Sequence, residues 1–247
     1  MTVKWRYVNK KASYRVVQAG NSIRLYRNNV LHSQWNDMKP VSGKLWDLFL
    51  ITVVGQRKSL SNVLVLGAGG GSVINLIHYF YPDANITAVD FDRVHLKVAK
   101  KYFKVNTKKC ELIYSDAQKW IKNNGKNKFD LIVDDVFSEL DSIPYRSIDD
   151  QSDWAKLLVR QLKSKGVLVF NFADKQEWNR NYKLWNVTLS HYNIAVTSHS
   201  KCDNKIVHIS KHKLSRKNLI SSLNKSGHTE YVKYVKNGTF SYRAMSR

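Results

Sequence analysis

Residues Val63 to Gly71 read VLVLGAGGG, an apolar run that ends in a cluster of glycines. About twenty residues later a second apolar run, Thr87-Ala88-Val89, ends on Asp90. A buried strand, a glycine turn, a helix and a second strand that delivers a carboxylate place a nucleoside-bearing ligand at the carboxyl edge of a parallel sheet. Gly67 permits the tight turn out of the first strand. Gly69 and Gly71 lack side chains, so a ligand can approach the backbone, and Gly70 completes the loop. Val73, Ile74, Ile77, Tyr79 and Phe80 then recur at helical spacing. The glycines follow G-x-G-x-G, not the G-x-G-x-x-G of dinucleotide folds. A glycine-rich turn in an ordinary α/β protein is the plain alternative.

The pattern continues as alternating strands and helices. Strands are expected at 63–67, 86–90, 111–114, 129–135 and 166–172, and helices at 71–81, 93–103, 116–123, 150–163 and 175–190. This alternation predicts an α/β fold with a doubly wound parallel sheet. Ile194–Ser198 and Lys205–Ser210 read as two more strands, joined by a turn at Asp203-Asn204, which adds an antiparallel terminal hairpin. Before the sheet, residues 13–36 read as β-hairpins with turns at Gly20-Asn21 and Asn28-Asn29, and Lys44 to Val54 as an apolar helix. The expected division is a small N-terminal β-region over 1–54 and a catalytic domain over 55–213, extending to about 247. The tail from Leu214 is expected to form one helix and an irregular basic end.

Composition bounds the rest. A chain of 247 residues, 43% hydrophobic, can bury one sizeable core. No apolar run approaches the roughly 18 residues that span a bilayer, and MTVKWRYVNKKASY lacks the apolar core of a signal peptide. Cys110 and Cys202 form neither a zinc spacing nor a disulfide framework, so a cytoplasmic protein without membrane association is the expectation. The eight histidines show no metal spacing, and no metal is expected. The formal charge of +22 invites a nucleic acid or an acidic partner. Its densest stretches, Lys122–Lys128 and Ser210–Asn218, carry no interleaved aromatics, and lysine-rich composition is the plain alternative.

Three acidic positions fall at strand ends. Asp90 is placed for a ribose. Asp116 follows the strand at 111–114 and can meet an adenine amino group, while also capping the helix that opens at Ala117. Asp134 and Asp135 end the strand at 129–135 and face the crevice, where a carboxylate can accept a proton from an amine.

In their order and spacing, residues 20 to 210 resemble the spermidine synthase family, within the class I S-adenosylmethionine-dependent transferases. The resemblance is carried by VLVLGAGGGSVINLIHYFYPDANITAVDFDRVHLKVAKKYF, by the segment from Cys110 to Phe172, and by NSIRLYRNNVLHSQWND before them. It implies a Rossmann-like methyltransferase sheet with a small β-domain in front, an S-adenosyl cofactor and a homodimer. Asp90 would hold the ribose, Asp116 and Ala117 the adenine, and Asp134 would fall on the catalytic aspartate.

The departures matter equally. Family members that transfer aminopropyl groups carry an acid where this chain has Gly70, to meet the amine of decarboxylated S-adenosylmethionine. Phe137 stands where a polyamine-binding acid is expected, and Trp46 falls in the element that normally supplies polar contacts. His32 or Gln34 replaces a glutamine of the hairpin, and Tyr145 lies just past the loop, where it could cover the acceptor pocket. Without an acid at position 70 the loop tolerates the carboxylate of intact S-adenosylmethionine. The expected function is therefore group transfer from an S-adenosyl cofactor, with methyl transfer from S-adenosylmethionine favoured. The alternatives are polyamine aminopropyl transfer from decarboxylated S-adenosylmethionine to putrescine, and a catalytically idle nucleic-acid-binding scaffold.

Overall fold

Four N-terminal strands, β1 (Thr2–Val8), β2 (Ser13–Ala19), β3 (Ser22–Arg27) and β4 (Val30–Asn36), form an antiparallel meander in the computed structural model, which describes residues 1–124, 128–140, 143–146, 148 and 151–245. The hairpins expected over 13–36 are β2 to β4. Asn28 and Asn29 make the last turn at φ 47° and 67°, the left-handed conformation that asparagine tolerates. Strand β1 escapes sequence patterning because its two faces are both largely exposed. Leu25 pairs with Ser33 and Tyr26 with Leu31, so His32 is an extra residue, bulged out of β4.

The single helix expected at 44–54 is instead a 3-10 turn over Leu45–Phe49 followed by α1 (Ile51–Gln56). The Asp47 carboxylate accepts the N–H groups of Gly43 and Lys44 and tightens the chain there.

A central sheet then grows through β5 (Asn62–Leu66), α2 (Ser72–Phe80), β6 (Asn85–Asp90), α3 (Arg93–Lys101), β7 (Cys110–Tyr114), α4 (Ala117–Asn124) and β8 (Phe129–Asp134). A short hairpin, β9 (Ser138–Leu140) and β10 (Ile143–Tyr145), interrupts it before α5 (Gln151–Val159), β11 (Leu162–Phe172) and α6 (Lys175–Thr188). Strands β12 (Asn193–His199) and β13 (Lys205–Ser210) follow. The tail differs from expectation. It forms two helices, α7 (Arg216–Lys225) and α8 (Thr229–Lys236), and a strand, β14 (Phe240–Ala244), that pairs with β12. Gly227 at φ 77° separates the helices, and Phe240 and Tyr242 alternate with exposed Ser241 and Arg243.

The sheet order is β14-β12-β13-β11-β8-β5-β6-β7. Strands β11, β8, β5, β6 and β7 run parallel, and β13, β12 and β14 are each antiparallel to their neighbours. The chain leaves β5 toward β6 and β7, then returns to β5's other side as β8. That reversal opens a crevice at the carboxyl ends of β5 and β8.

Strand alternation divides the core. Val63, Val65, Leu131, Val133, Val167 and Val169 face α1, α2, α7 and α8. Leu64, Leu66, Ile132, Leu168 and Phe170 face α4, α5 and α6. Trp185 closes the second layer, 4.7 Å from the Phe170 ring and 5.4 Å from that of Phe172.

At the amino edge of the sheet, buried Asp130 accepts from Arg57 at 2.9 Å, Lys163 at 2.7 Å, and the N–H groups of Ser61 and Asn62 at 2.9 and 3.0 Å. Burial opposes ionisation of Asp130, but the Lys163 contact and the two amides outweigh it and hold the carboxyl below its ordinary range. The folded value lies below the unfolded one. The stabilisation is therefore complete above the ordinary carboxylate pKa of about 3.9 and is lost as pH falls through the native value. Asp130→Ala is expected to cost about 2–3 kcal/mol at pH 7. Urea unfolding of both proteins from pH 7 to pH 3 should show the difference shrinking at the acid end.

Candidate functional site

Strand β5 leaves the sheet at Leu66, and the Asp135 N–H donates to the Leu66 carbonyl at 2.8 Å. Gly67 follows at φ 83°, and a Cβ there would lie 2.2 Å from the Asp135 carbonyl oxygen. Only glycine fits. The remaining glycines face protein. A Cβ on Gly69 would meet Ser33 Oγ at 2.9 Å, one on Gly70 would meet Ser33 Cβ at 2.8 Å and the Phe103 ring at 3.0 Å, and one on Gly71 would meet Val105 at 2.5 Å. The Gly70 N–H donates to Ser33 Oγ at 2.7 Å, and the Gln34 N–H donates to Ser72 Oγ at 2.8 Å. Strand β4 is thus seated on the loop. Of the four glycines, only Gly67 and Gly69 line the adjacent cavity.

That cavity, about 390 Å³, opens at the carboxyl edge where the strand order reverses, within the usual range for small-molecule sites. Asp90 is among its lining residues. Its Oδ2 accepts the Gly69 N–H at 2.8 Å and its Oδ1 accepts the Asp92 N–H at 2.8 Å. A carboxylate has about four acceptor positions, and with the His95 ring nitrogen also 3.4 Å from Oδ2 one remains for a ribose hydroxyl. Asp116 and Ala117 line the same end. Asp116 Oδ1 also caps α4, accepting the Lys119 N–H at 2.9 Å.

The two adjacent acids after β8 part company. Strand alternation points Asp134 into the α5–α6 layer, where it is fully buried and does not line the cavity. Arg146 donates to it at 2.7 Å, and Trp154 Nε1 donates to its other oxygen. Arg146 in turn donates to the Asn171 carbonyl at 2.7 Å and lies over the rings of Phe170 and Phe172. Asp135, one residue on, faces the cavity. Asn171 donates to Asp135 Oδ1 at 2.8 Å, and Asn204 donates to Asn171 at 3.0 Å. Burial pushes the Asp135 carboxyl up to about 7, and the negative charges of Asp134 and Asp90 add to the rise.

The bulge in β4 turns His32 into the cavity, whereas Gln34 does not line it. Trp46 and Phe137 do line it, with Leu45 and Phe49 beside Trp46. Tyr145 lies in β10, and its side chain falls outside the described residues.

Several lining residues escaped the sequence reading. His95 approaches Asp90 Oδ2 at 3.4 Å and Asp92 Oδ2 at 3.8 Å, with its ring 5.2 Å from that of His32. Burial lowers its basicity, but the two carboxylates outweigh burial and raise its pKa. Its signal was present: Asp92 caps α3, and His95 falls three residues later on the same face. Asp203 and Asn204, read as a hairpin turn, line the cavity, as do Asn171 and Phe91. Four aspartates therefore converge here, and no lysine or arginine among the described residues lines the cavity. Among the described residues no group of three or more His, Cys, Asp or Glu side chains is placed to hold a metal ion, and no helix is long and apolar enough to cross a membrane.

Residues 57–228 match the family described as a methyltransferase domain. The eEF1A lysine and N-terminal methyltransferase homolog of Drosophila melanogaster is 31% identical over 139 residues, 53% of this chain and 20% of that protein. The polyamine aminopropyltransferase of Clostridium botulinum is 29% identical over 94 residues, 36% of this chain and 33% of that protein. The chain thus spans a third or less of the length of these curated relatives. In fold, a probable spermidine synthase from Corynebacterium glutamicum superposes with a TM-score of 0.73 at 15% identity, covering 99% of this chain and 91% of that one.

The different surroundings of the two acids give opposite expectations. Asp134→Asn removes the carboxylate charge that pairs with buried Arg146 at 2.7 Å and is expected to cost about 3–5 kcal/mol. Asp135→Asn is expected to raise stability at pH 8, because the wild-type fold there holds a carboxylate whose ionisation is disfavoured. The sign follows from a folded pKa above the unfolded one: wild-type stability falls as pH rises from about 4 to about 7. Denaturant titrations of both variants at pH 5 and pH 8 check the pair.

Proposed function

We propose that this chain, a member of the methyltransferase-domain family, is an S-adenosylmethionine-dependent transferase of the spermidine synthase-like kind that moves a methyl group to an amine. The observation that carries the choice of methyl is the crowding at Gly70. The resemblance puts at this position the acid that meets the amine of decarboxylated cofactor, and here its Cβ alone would collide with Ser33 and Phe103.

The residues present fit the cofactor. Asp90 would hold the ribose and Asp116 and Ala117 the adenine, and Gly67 and Gly69 offer bare backbone in the same lining. When bound, S-adenosylmethionine supplies an electrophilic methyl group on a sulfonium sulfur.

An amine acceptor is supported by the charge of the cavity. Asp135 and Asp203 attract a cation to a lining free of lysine and arginine among the described residues, and Trp46, Phe49 and Phe137 provide apolar walls for an alkyl chain. Asp135, titrating near neutrality, takes the proton of the arriving ammonium, and Asn171 and Asn204 orient its carboxylate. The relatives are named for lysine and N-terminal methylation and for polyamine aminopropyl transfer, and all of these acceptors are amines.

Isothermal titration with S-adenosylmethionine and with its decarboxylated analogue tests the choice. Tighter binding of the intact cofactor, weakened at least tenfold in Asp90→Ala, is the expected result. Preference for the decarboxylated form would sink methyl transfer and restore aminopropyl transfer. For the base, the rate is expected to rise with pH to a plateau above about 7. Asp135→Asn should abolish that rise and lower the rate by about 10²–10⁴.

A further inference from the structure

The opposite edge of the sheet carries a second concavity, larger than the first at about 810 Å³. It lies where the parallel strands begin. The chain after α1 supplies Arg57, Lys58 and Ser59, the irregular stretch of β11 between Leu162 and Val167 supplies Lys165, and the loop after β13 supplies His212 and Lys213. Helix α7 forms the remaining wall. Its residues Asn218, Ser221, Ser222 and Lys225 recur at i, i+3, i+4 and i+7, and so occupy one face. Leu219 and Leu223, on the other face, are buried in the core. Five lysine or arginine side chains thus converge on one groove.

Among the described residues, what lines this groove is as informative as its charge. Apart from Gly55, every lining residue is polar, none is acidic, and none is a Phe, Tyr or Trp. Arg57 is held in place by bonds to the Lys165 carbonyl at 2.7 Å and to Asp130 at 2.9 Å. Cationic side chains together with serine and amide donors are the set that meets phosphate oxygens in nucleic-acid complexes. Without Phe, Tyr or Trp, the groove lacks a platform on which successive unpaired bases would stack. The absence of apolar side chains argues against an acidic protein, whose docking would need an apolar centre. The stretch Ser210–Asn218, among the most basic in the sequence, contributes His212, Lys213 and Asn218 to the groove. The other dense stretch, Lys122–Lys128, lies partly outside the described residues.

We propose that this groove binds the phosphate backbone of a base-paired nucleic acid, independently of the cofactor cavity on the opposite edge. Fluorescence anisotropy of a labelled RNA hairpin and a labelled DNA duplex, titrated with the full chain across a salt series, tests it. The groove variant reverses Lys58, Lys165, Lys213 and Lys225 to Glu. A control reverses four exposed lysines elsewhere, Lys97, Lys100, Lys175 and Lys183. The groove variant is expected to bind at least tenfold more weakly, and its slope of log K against log salt should fall by about 0.9 for each phosphate it no longer neutralises. The control should change less than threefold. Equal weakening in both variants would reduce the binding to diffuse attraction by net charge and overturn the proposal. So would failure of both nucleic acids to bind, or tighter groove-dependent binding of poly-glutamate. If the quadruple reversal misfolds by circular dichroism, Lys58→Gln and Lys213→Gln, each alone, must still weaken binding for the proposal to stand.

Discussion

The functional edge of this fold depends on a backbone contact that leaves no room for a side chain. Where β5 turns at Gly67, its chain runs against the carbonyl of Asp135 at the end of β8. The adjoining Leu66–Asp135 hydrogen bond fixes the same two segments from the other side. One junction therefore sets the floor of the cavity, the exit of the glycine loop and the direction of the Asp135 side chain. Any β-carbon at position 67 would push the two strand ends apart, and Asp90 would lose its alignment with the Gly69 amide.

Charge is distributed in two opposing ways. The chain as a whole is strongly cationic at +22, yet the cavity at the carboxyl edge is lined by Asp90, Asp116, Asp135 and Asp203. Such a local reversal of sign favours a cation inside the cavity while the surrounding surface attracts anions. Asp135 is the group most affected. Its neighbours Asp134 and Asp90 and its burial all oppose ionisation, and its charge state is tuned near neutrality.

Much of this was legible in the sequence because the signals were periodic. Apolar runs placed the five parallel strands, and Asp90 and Asp116 sit in the cavity as their strand-end positions implied. What was not legible depended on contacts distant in sequence. The glycines read as clearance for a ligand are mostly clearance for Ser33, Phe103 and Val105. Asp134 and Asp135 are indistinguishable as a dipeptide, and only the packing of Trp154 and Arg146 against one of them separates the two. The bulge that turns His32 inward depends on a register slip between β3 and β4 that residue patterning does not mark. In the tail, the alternation of Phe240 and Tyr242 was readable, but its partner β12 lies some forty residues earlier.

The seating of the N-terminal sheet on the glycine loop bears on how the chain acquires its structure during synthesis. Strands β1 to β4 pair with sequence neighbours and can form as soon as they emerge. Their anchors come later: Ser33 waits for Gly70, Gln34 for Ser72 and Tyr14 for Asp92. Until that segment has been made, the buried side chains of Val16 and Leu25 lack their cover from Val98 and Phe103. The meander taken alone would leave this apolar face open, and it is α3 and Phe103 that cover it.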